Sequence, residues 1–360
     1  MTASNRLFSA LLAAALTAST TQADSISYSI SDLGTLPGTS MSAATGINNQ
    51  GQVVGVSYNS SDGSFVQNLS GTATPPRFQQ TGNGAQSFLY SGGQISQINP
   101  VGGLATSVND SGQAVGGQFT SINASGQYVG GPGAGIITDS SNYGNPPQSG
   151  LVSGGTTIPL GLMPYAINNA GQVVGVVGSG MAFDPAVYQG GKVTDLSAII
   201  GASGYTNGRP IGDARAIAIN QNGDILVNFV GNGNKTYSLL YSTATGAVIA
   251  NLSSLPGGSG MIAAALNTKD QVVGNGFLES NGTFQTLASL IPTSSGWSNL
   301  NATGINESGQ IVGQGLIDGQ EHAFLMTPQS VPEPSTLALF GLGFALLGVA
   351  ARKRGGVRPE

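Results

Sequence analysis

The sequence predicts an all-β fold, a β-propeller of six four-stranded blades closed by its own N-terminal strand. Three observations carry that expectation. A motif of small residues followed by Ile-Asn-x-x-Gly-Gln-Val-Val-Gly recurs six times. Each of the first five copies is followed by a second pair of β-type runs around a Gly-rich or Asn-Gly turn. The sixth copy lacks its final strand, and a matching strand stands alone near the N-terminus. An irregular β-solenoid or a β-sandwich is the alternative architecture, because the spacing between copies is uneven.

The copies run over 44–55, 105–116, 165–175, 216–227, 264–274 and 302–313. Repeats on this length scale point to solenoids, propellers or arrays. Within a copy, β-branched runs flank a turn that starts on Asn and ends on Gly. Asn can hydrogen-bond its own backbone two residues on. Gly supplies the positive φ that a type I turn followed by a bulge requires. In the fifth copy Asp270 stands where the others have Gly, and Asp tolerates the left-handed region. The closing Gly of the motif lies inside a strand, which suggests a bulge or a close backbone approach.

The second half of each unit follows the same logic. Phe88–Ile98, Leu151–Leu160, Ala186–Leu196, Leu240–Leu252 and Phe277–Leu287 each read as a hairpin. Each unit is thus four antiparallel strands, A to D. The sixth has A, B and a C strand at His322–Met326, then no D. Ile26–Leu33 ends in Ile-Ser-Asp-Leu, matching Val193-Thr-Asp-Leu196. A ring lets the first strand complete the last unit, and four-stranded units around a ring make a propeller. The motif Asn residues fall at 48, 109, 168, 220, 267 and 306, so the gaps shrink from 61 to 39. A further short copy, Ser121–Gly130, is read as an insertion hairpin, with a seventh partial blade as the alternative.

The two ends carry addresses. Arg6, the apolar run Leu7–Leu16 and Thr21-Gln-Ala23 before Asp24 have the form of a signal peptide over residues 1–23, cleaved between Ala23 and Asp24. The propeller domain is expected over 24–330. Residues 331–360 begin Val-Pro332-Glu333-Pro334 and continue with an uncharged apolar stretch, 336–351. Arg352, Lys353 and Arg354 follow. The stretch is slightly shorter than the ~17–25 residues of a comfortable span, and the basic cluster is expected to stay cytoplasmic. The plain alternative is a simple C-terminal anchor.

Two resemblances follow from these residues. Pro332-Glu333-Pro334, an apolar helix and the basic 352–354 cluster resemble the PEP-CTERM sorting signal. That resemblance implies recognition by an exosortase-type membrane transpeptidase and transient anchoring in the inner membrane. The six-residue extension after Arg354 departs from the usual abrupt basic end. The body resembles the extracellular HAF-repeat family, through the Ile-Asn-x-x-Gly-Gln-Val-Val-Gly copies and one intact His322-Ala323-Phe324 triplet. Met181-Ala182-Phe183 is a weak second. This resemblance implies a bacterial surface or matrix protein with no established enzymatic activity. The company of the sorting signal implies exopolysaccharide and biofilm.

Composition narrows the chemistry. Only 8% of residues are charged, against ~25% in ordinary soluble domains. The chain has no cysteine, which excludes thiol chemistry and disulfides. From Asp24 to Val331 there are 14 acidic and 6 basic residues, a net charge of −8. No basic patch exists to grip phosphates, so nucleic acid is not an expected partner. The single histidine, His322, lies in a repeat strand and is read as a packing residue. No catalytic residue, cofactor or metal site is expected. The scattered acids (Asp110, Asp184, Asp195, Asp224, Asp270, Glu307 and others) read as turn residues.

Topology places the expected binding surface. In A-B-C-D blades the B–C and D–A connections share the face opposite the motif turns. The long connections are expected at 57–84 and 119–149, and insertions on one face often mark a binding face. Tyr58, Phe78, Tyr128 and Tyr143 fall in those two segments; Tyr205, Arg209 and Trp297 fall in D–A loops. Aromatic rings with polar tips suit a partly wet surface, and extracellular polysaccharide is the expected ligand. Singly, each is better explained by covering a blade end or pinning its own loop. A hydrolase or lyase acting on polysaccharide is the alternative function.

Overall fold

Every copy of the motif folds as a β-hairpin whose turn is dictated by its Asn and its Gly. In the first, the Asn48 and Gly51 N–H groups donate to Gln52 O and Asn48 O at 3.0 and 3.1 Å. Asn48 Oδ1 accepts from the N–H groups of Gln50 and Gln52. Gly51 has φ +76°, and Asp270 holds the same left-handed position at φ +56°, as the turn chemistry predicts. The computed structural model describes residues 27–66, 77–80, 82–100, 104–116, 119–130, 150–179, 182–202, 212–231 and 235–329. The body, Tyr28–Pro328, is one contact unit; the two chain ends make up the other and lie almost wholly outside the described residues.

The chain opens with β1 (Ser27–Asp32). Blade I has β2 (Met41–Ile47) and β3 (Val53–Tyr58), an inserted hairpin of β4 (Gly63–Val66) and β5 (Arg77–Gln80), then β6 (Gln86–Ser91) and β7 (Gln94–Ile98). A two-stranded unit follows, β8 (Ala105–Val108) with β9 (Ala114–Gly116). Blade II is β10 (Phe119–Ile122), β11 (Tyr128–Gly130), β12 (Gly150–Ser153) and β13 (Thr156–Pro159). Blade III is β14 (Met163–Ile167), β15 (Val173–Ser179), β16 (Ala182–Gln189) and β17 (Lys192–Asp195), followed by helix α1 (Ser197–Ala202). Blade IV is β18 (Gly212–Ile219), β19 (Asp224–Val230), β20 (Thr236–Ser242) and β21 (Ala247–Asn251). Blade V is β22 (Ala263–Leu266), β23 (Val272–Gly274), β24 (Phe277–Ser280) and β25 (Thr283–Thr286), followed by helix α2 (Leu287–Leu290). Blade VI is β26 (Ser298–Ile305), β27 (Ile311–Ile317) and β28 (Gln320–Gln329), and β1 is its fourth strand.

The closure predicted from the missing D strand is therefore present. Leu33 N–H donates to Ala323 O at 3.0 Å, and His322 Nδ1 lies 2.8 Å from Asp32 Oδ2. Tyr28 and Leu33 of this strand region are buried.

One expectation is corrected. Ser121–Gly130 is not an insertion: as β10–β11 it is the inner hairpin of blade II, paired through β11 to β12. The preceding copy, 105–116, is the two-stranded unit. The reason lies in the connection, since two residues, 117 and 118, separate β9 from β10. They cannot hold two more strands. The ring thus has seven motif turns, six belonging to four-stranded blades.

Each motif also bends its first strand. A one-residue bulge breaks the A–B register in all seven hairpins, as between Ala44 and Gly46 or Ala302 and Gly304. The closing glycine lies against that bulge. A Cβ on Gly313 would sit 1.9 Å from Asn301 O, and one on Gly55 2.3 Å from Ala43 O. The hydrophobic core lies between neighbouring blades. Phe277 of blade V meets Leu226 and Leu240 of blade IV, and Phe88 of blade I meets Val312 and Ala323 of blade VI.

Candidate functional site

Among the described residues two concave surfaces compete for function, one on each face of the ring. The motif-turn face carries a shallow cup of about 160 Å³ on the axis. It is lined by the motif turns and by the aliphatic residues that precede the motif asparagines, Ile47, Ile167 and Ile305 among them. The turns are joined by the motif asparagines. Each Nδ2 donates to the backbone oxygen of the next motif Asn, in the order 48, 109, 123, 168, 220, 267, 306 and back to 48. The seven distances lie between 2.8 and 3.1 Å. All seven side chains are buried.

The next residue of each turn adds a partial outer ring. Asn49 N–H donates to Asp110 Oδ1, Ala124 N–H to Asn169 Oδ1, Asn169 N–H to Gln221 Oε1, and Glu307 N–H to Asn49 Oδ1. Thr268 bonds Glu307 through both its N–H and its hydroxyl. The asparagine side chains are fully used by the fold itself. This face is a clasp.

The opposite face behaves differently. A groove of about 540 Å³ is lined by the B–C turn of blade V (Asn275 and Gly276), by Ala288 of α2, and by blade VI. A volume of this order fits a small ligand. Blade VI contributes Asn299, Asn301, Gln314, Leu316 and Glu321 among others. Asn301 pairs with Gln314, and Gln314 pairs with Ala323. Glu321 is two residues from Ala323, so the register puts Asn301, Gln314 and Glu321 on one side of the blade. Asn299 takes φ +50°, and Asn301 Nδ2 donates to its backbone oxygen at 2.9 Å.

Gln314 is 2% exposed, and its Oε1 has no hydrogen-bond partner in the protein. An unmet buried acceptor costs about 1–3 kcal/mol, and native structures keep few of them. His322 Nε2 is the other buried unpaired side-chain atom among the described residues. Glu321 accepts a short hydrogen bond from the Tyr58 hydroxyl of blade I. Burial raises the Glu321 carboxyl above the usual carboxylate range, and the Tyr58 bond opposes that shift. No group of three His, Asp or Glu side chains among the described residues is placed to hold a metal ion.

The expected aromatic face is only partly assembled. Trp297 sits in the D–A connection before β26, half-buried, its ring edge-on to Phe324 at 6.0 Å between centroids. Tyr58 is fully buried at the end of β3. Tyr128 is not in a loop: it begins β11, beside a motif turn, because 119–130 is a blade hairpin. Phe78 lies in β5, opposite Phe65 in the inserted hairpin. Tyr143, Tyr205 and Arg209 lie outside the described residues, as do Ala23, Asp24 and the segments 1–23 and 331–360. The sequence did not single out Gln314, Asn301 or Glu321. The lone signal was that Asn301 and Gln314 put amides where blade I carries Ala43 and Val56.

Residues 330–354 match the PEP-CTERM protein-sorting motif. The motif contains Pro332, Glu333 and Pro334 and ends on the basic cluster Arg352, Lys353 and Arg354. It implies an exported protein handled by an exosortase at the membrane. No helix among the described residues is long and apolar enough to cross a membrane. No curated protein matches the chain. Among solved structures, the chain is similar to a Pyrococcus horikoshii acylaminoacyl peptidase at 10% identity and a TM-score of 0.36. That match covers 81% of this chain and 53% of the other, so the chain spans about half the length of the peptidase. A hypothetical protein from Leishmania major matches at 9% identity and a TM-score of 0.26, covering 89% and 95%.

Proposed function

We propose that this exported propeller is a non-enzymatic binding protein of the bacterial surface or extracellular matrix, and that its ligand is polysaccharide. The reading includes the HAF-repeat resemblance and a link to exopolysaccharide or biofilm. The observation that carries it is the unmet, buried Gln314 Oε1 in the groove on the loop face. A hydroxyl from a sugar would satisfy that oxygen. The motif-turn asparagines, by contrast, are spent on closure. Among the described residues Glu321 is the only carboxylate lining the groove, whereas the usual glycosidase mechanism uses two. Leu300 and Leu316 supply apolar patches for a ring face. The reading keeps Trp297, Phe78, Tyr143, Tyr205 and Arg209 as candidate ligand contacts.

The test is retention of the purified full-length chain on matrix polysaccharide, with release of reducing ends measured in parallel. Retention without hydrolysis is expected, and Gln314→Met should weaken it several-fold. Hydrolysis that tracks the protein would turn the reading to an enzyme. No retention would end it.

A further inference from the structure

The groove carries a carboxylate and no described positive charge, and this decides what kind of sugar fits it. Gln314 presents an unpaired amide oxygen. Glu321 presents a carboxylate, of which Tyr58 engages one oxygen. Asn301 has already committed its Nδ2 to Asn299 O. Among the described residues no lysine, arginine or histidine lines the groove, and the body around it carries a surplus of acids. Strand register sets Gln314 between Asn301, directly opposite, and Glu321, diagonal on the next strand. Neighbours of these two kinds are within reach of one ligand group.

An anionic sugar brings a carboxylate against Glu321 and offers no donor in its place. A neutral sugar brings hydroxyl donors. A protonated amino sugar brings three N–H donors and the charge that the groove lacks. We propose that the groove is a subsite for the protonated amine of an amino sugar, with Gln314 Oε1 and Glu321 as its acceptors. The proposal rests on the polysaccharide reading above and narrows it. Tyr58 acts as a positioning residue, holding the Glu321 carboxylate from blade I.

The test is direct binding of the full-length protein, by calorimetry at pH 7, to three hexamers: glucosamine, N-acetylglucosamine and a hexuronate. The expected order is glucosamine, then N-acetylglucosamine, with the hexuronate weakest. Glu321→Gln keeps an acceptor for Tyr58 and removes the charge. It should cost the glucosamine hexamer about tenfold or more, the worth of a hydrogen bond to a charged group, and leave N-acetylglucosamine within about twofold. Gln314→Met should weaken both. An unchanged thermal midpoint in each variant confirms that folding is intact; if Glu321→Gln fails to fold, Tyr58→Phe, which frees the carboxylate, must change the preference instead. Binding with no charge order, or with the hexuronate first, overturns the amine subsite but leaves polysaccharide binding standing. Binding of none of the three, with retention on matrix polysaccharide intact, also overturns only the subsite. Loss of both overturns the wider reading as well.

Discussion

Changing Asn306 to Asp tests the closed ring at its seam. The Asn306 side chain makes four hydrogen bonds. Oδ1 accepts from Ser308 and Gln310 N–H at 3.1 and 2.9 Å. Nδ2 donates to Gln310 Oε1 and to Asn48 O at 2.8 and 3.0 Å. Aspartate keeps the two accepting bonds and so keeps the turn. It loses both donors and sets a carboxylate oxygen against the Asn48 carbonyl. Two neutral bonds are worth about 0.5–1.5 kcal/mol each, and a buried acceptor left unmet adds to that. The expected loss is about 2–4 kcal/mol. The assay is urea unfolding of the full-length chain in detergent, followed by the fluorescence of Trp297. It is the sole tryptophan and packs in blade VI against Phe324. The control is Asn168→Asp, an interior joint whose Nδ2 reaches Asn220 O. In a closed ring the two joints are equivalent, and the two losses should agree within about 0.5 kcal/mol. A full loss at Asn168 with almost none at Asn306 would mean that the first and last blades do not meet.

Gly313→Ala should destabilise the chain by about 3 kcal/mol through overpacking, because its Cβ would lie 1.9 Å from a backbone oxygen; a shift under about 0.5 kcal/mol would show that the bulge can relax. The joint between blades IV and V should be pH-sensitive. There Asp224 and Asp270 stand where other joints set Gln over Gly, and Asn220 Nδ2 bonds both. Burial raises the Asp270 carboxyl and Asp224 raises it further; burial, with Asp270, raises Glu279 against the lowering bond from Gly282. Both hold protons more tightly folded than unfolded. Their contribution to stability is therefore fullest below the ordinary carboxylate range, about pH 4, and falls as pH rises through the raised values. Asp224→Gln with Asp270→Gly should raise the unfolding midpoint more at pH 7 than at pH 4, with up to about 1 kcal/mol coming from relief of the left-handed Asp; an equal gain at both values would remove the electrostatic account. Trp297→Ala should cost about 3 kcal/mol through the lost packing of a large aromatic, read by the thermal midpoint, and a cost near zero would show that its edge-on contact with Phe324 does not hold the blade.

The turn chemistry was legible in single residues. Asn48 and Gly51 specify their hairpin by local hydrogen bonds and by φ, and Asp270 shows which substitute that φ tolerates. The missing D strand of the last blade, and its match at Ile30–Leu33, predicted closure because an unpaired edge has to find a partner. The short copy at 121–130 was misread because strand partners are not local: β11 could pair with β12 or be a free hairpin, and only the sheet decides. Tyr128 went with it, from loop to strand. The groove was not legible for a related reason. Asn301, Gln314 and Glu321 come from three strands, and their side chains meet only through register.

The sequence alone determined the repeating hairpin, the ring it must close and the sorting signal, since each depends on residues within one short span. The tertiary structure alone decided that the motif asparagine bonds the next blade as well as its own turn, that seven turns rather than six make the circle, and which face keeps an unmet polar group. Those are relations between blades separated by 14 to 61 residues in the chain and by 258 across the seam. Distance along the chain hides them, and packing reveals them.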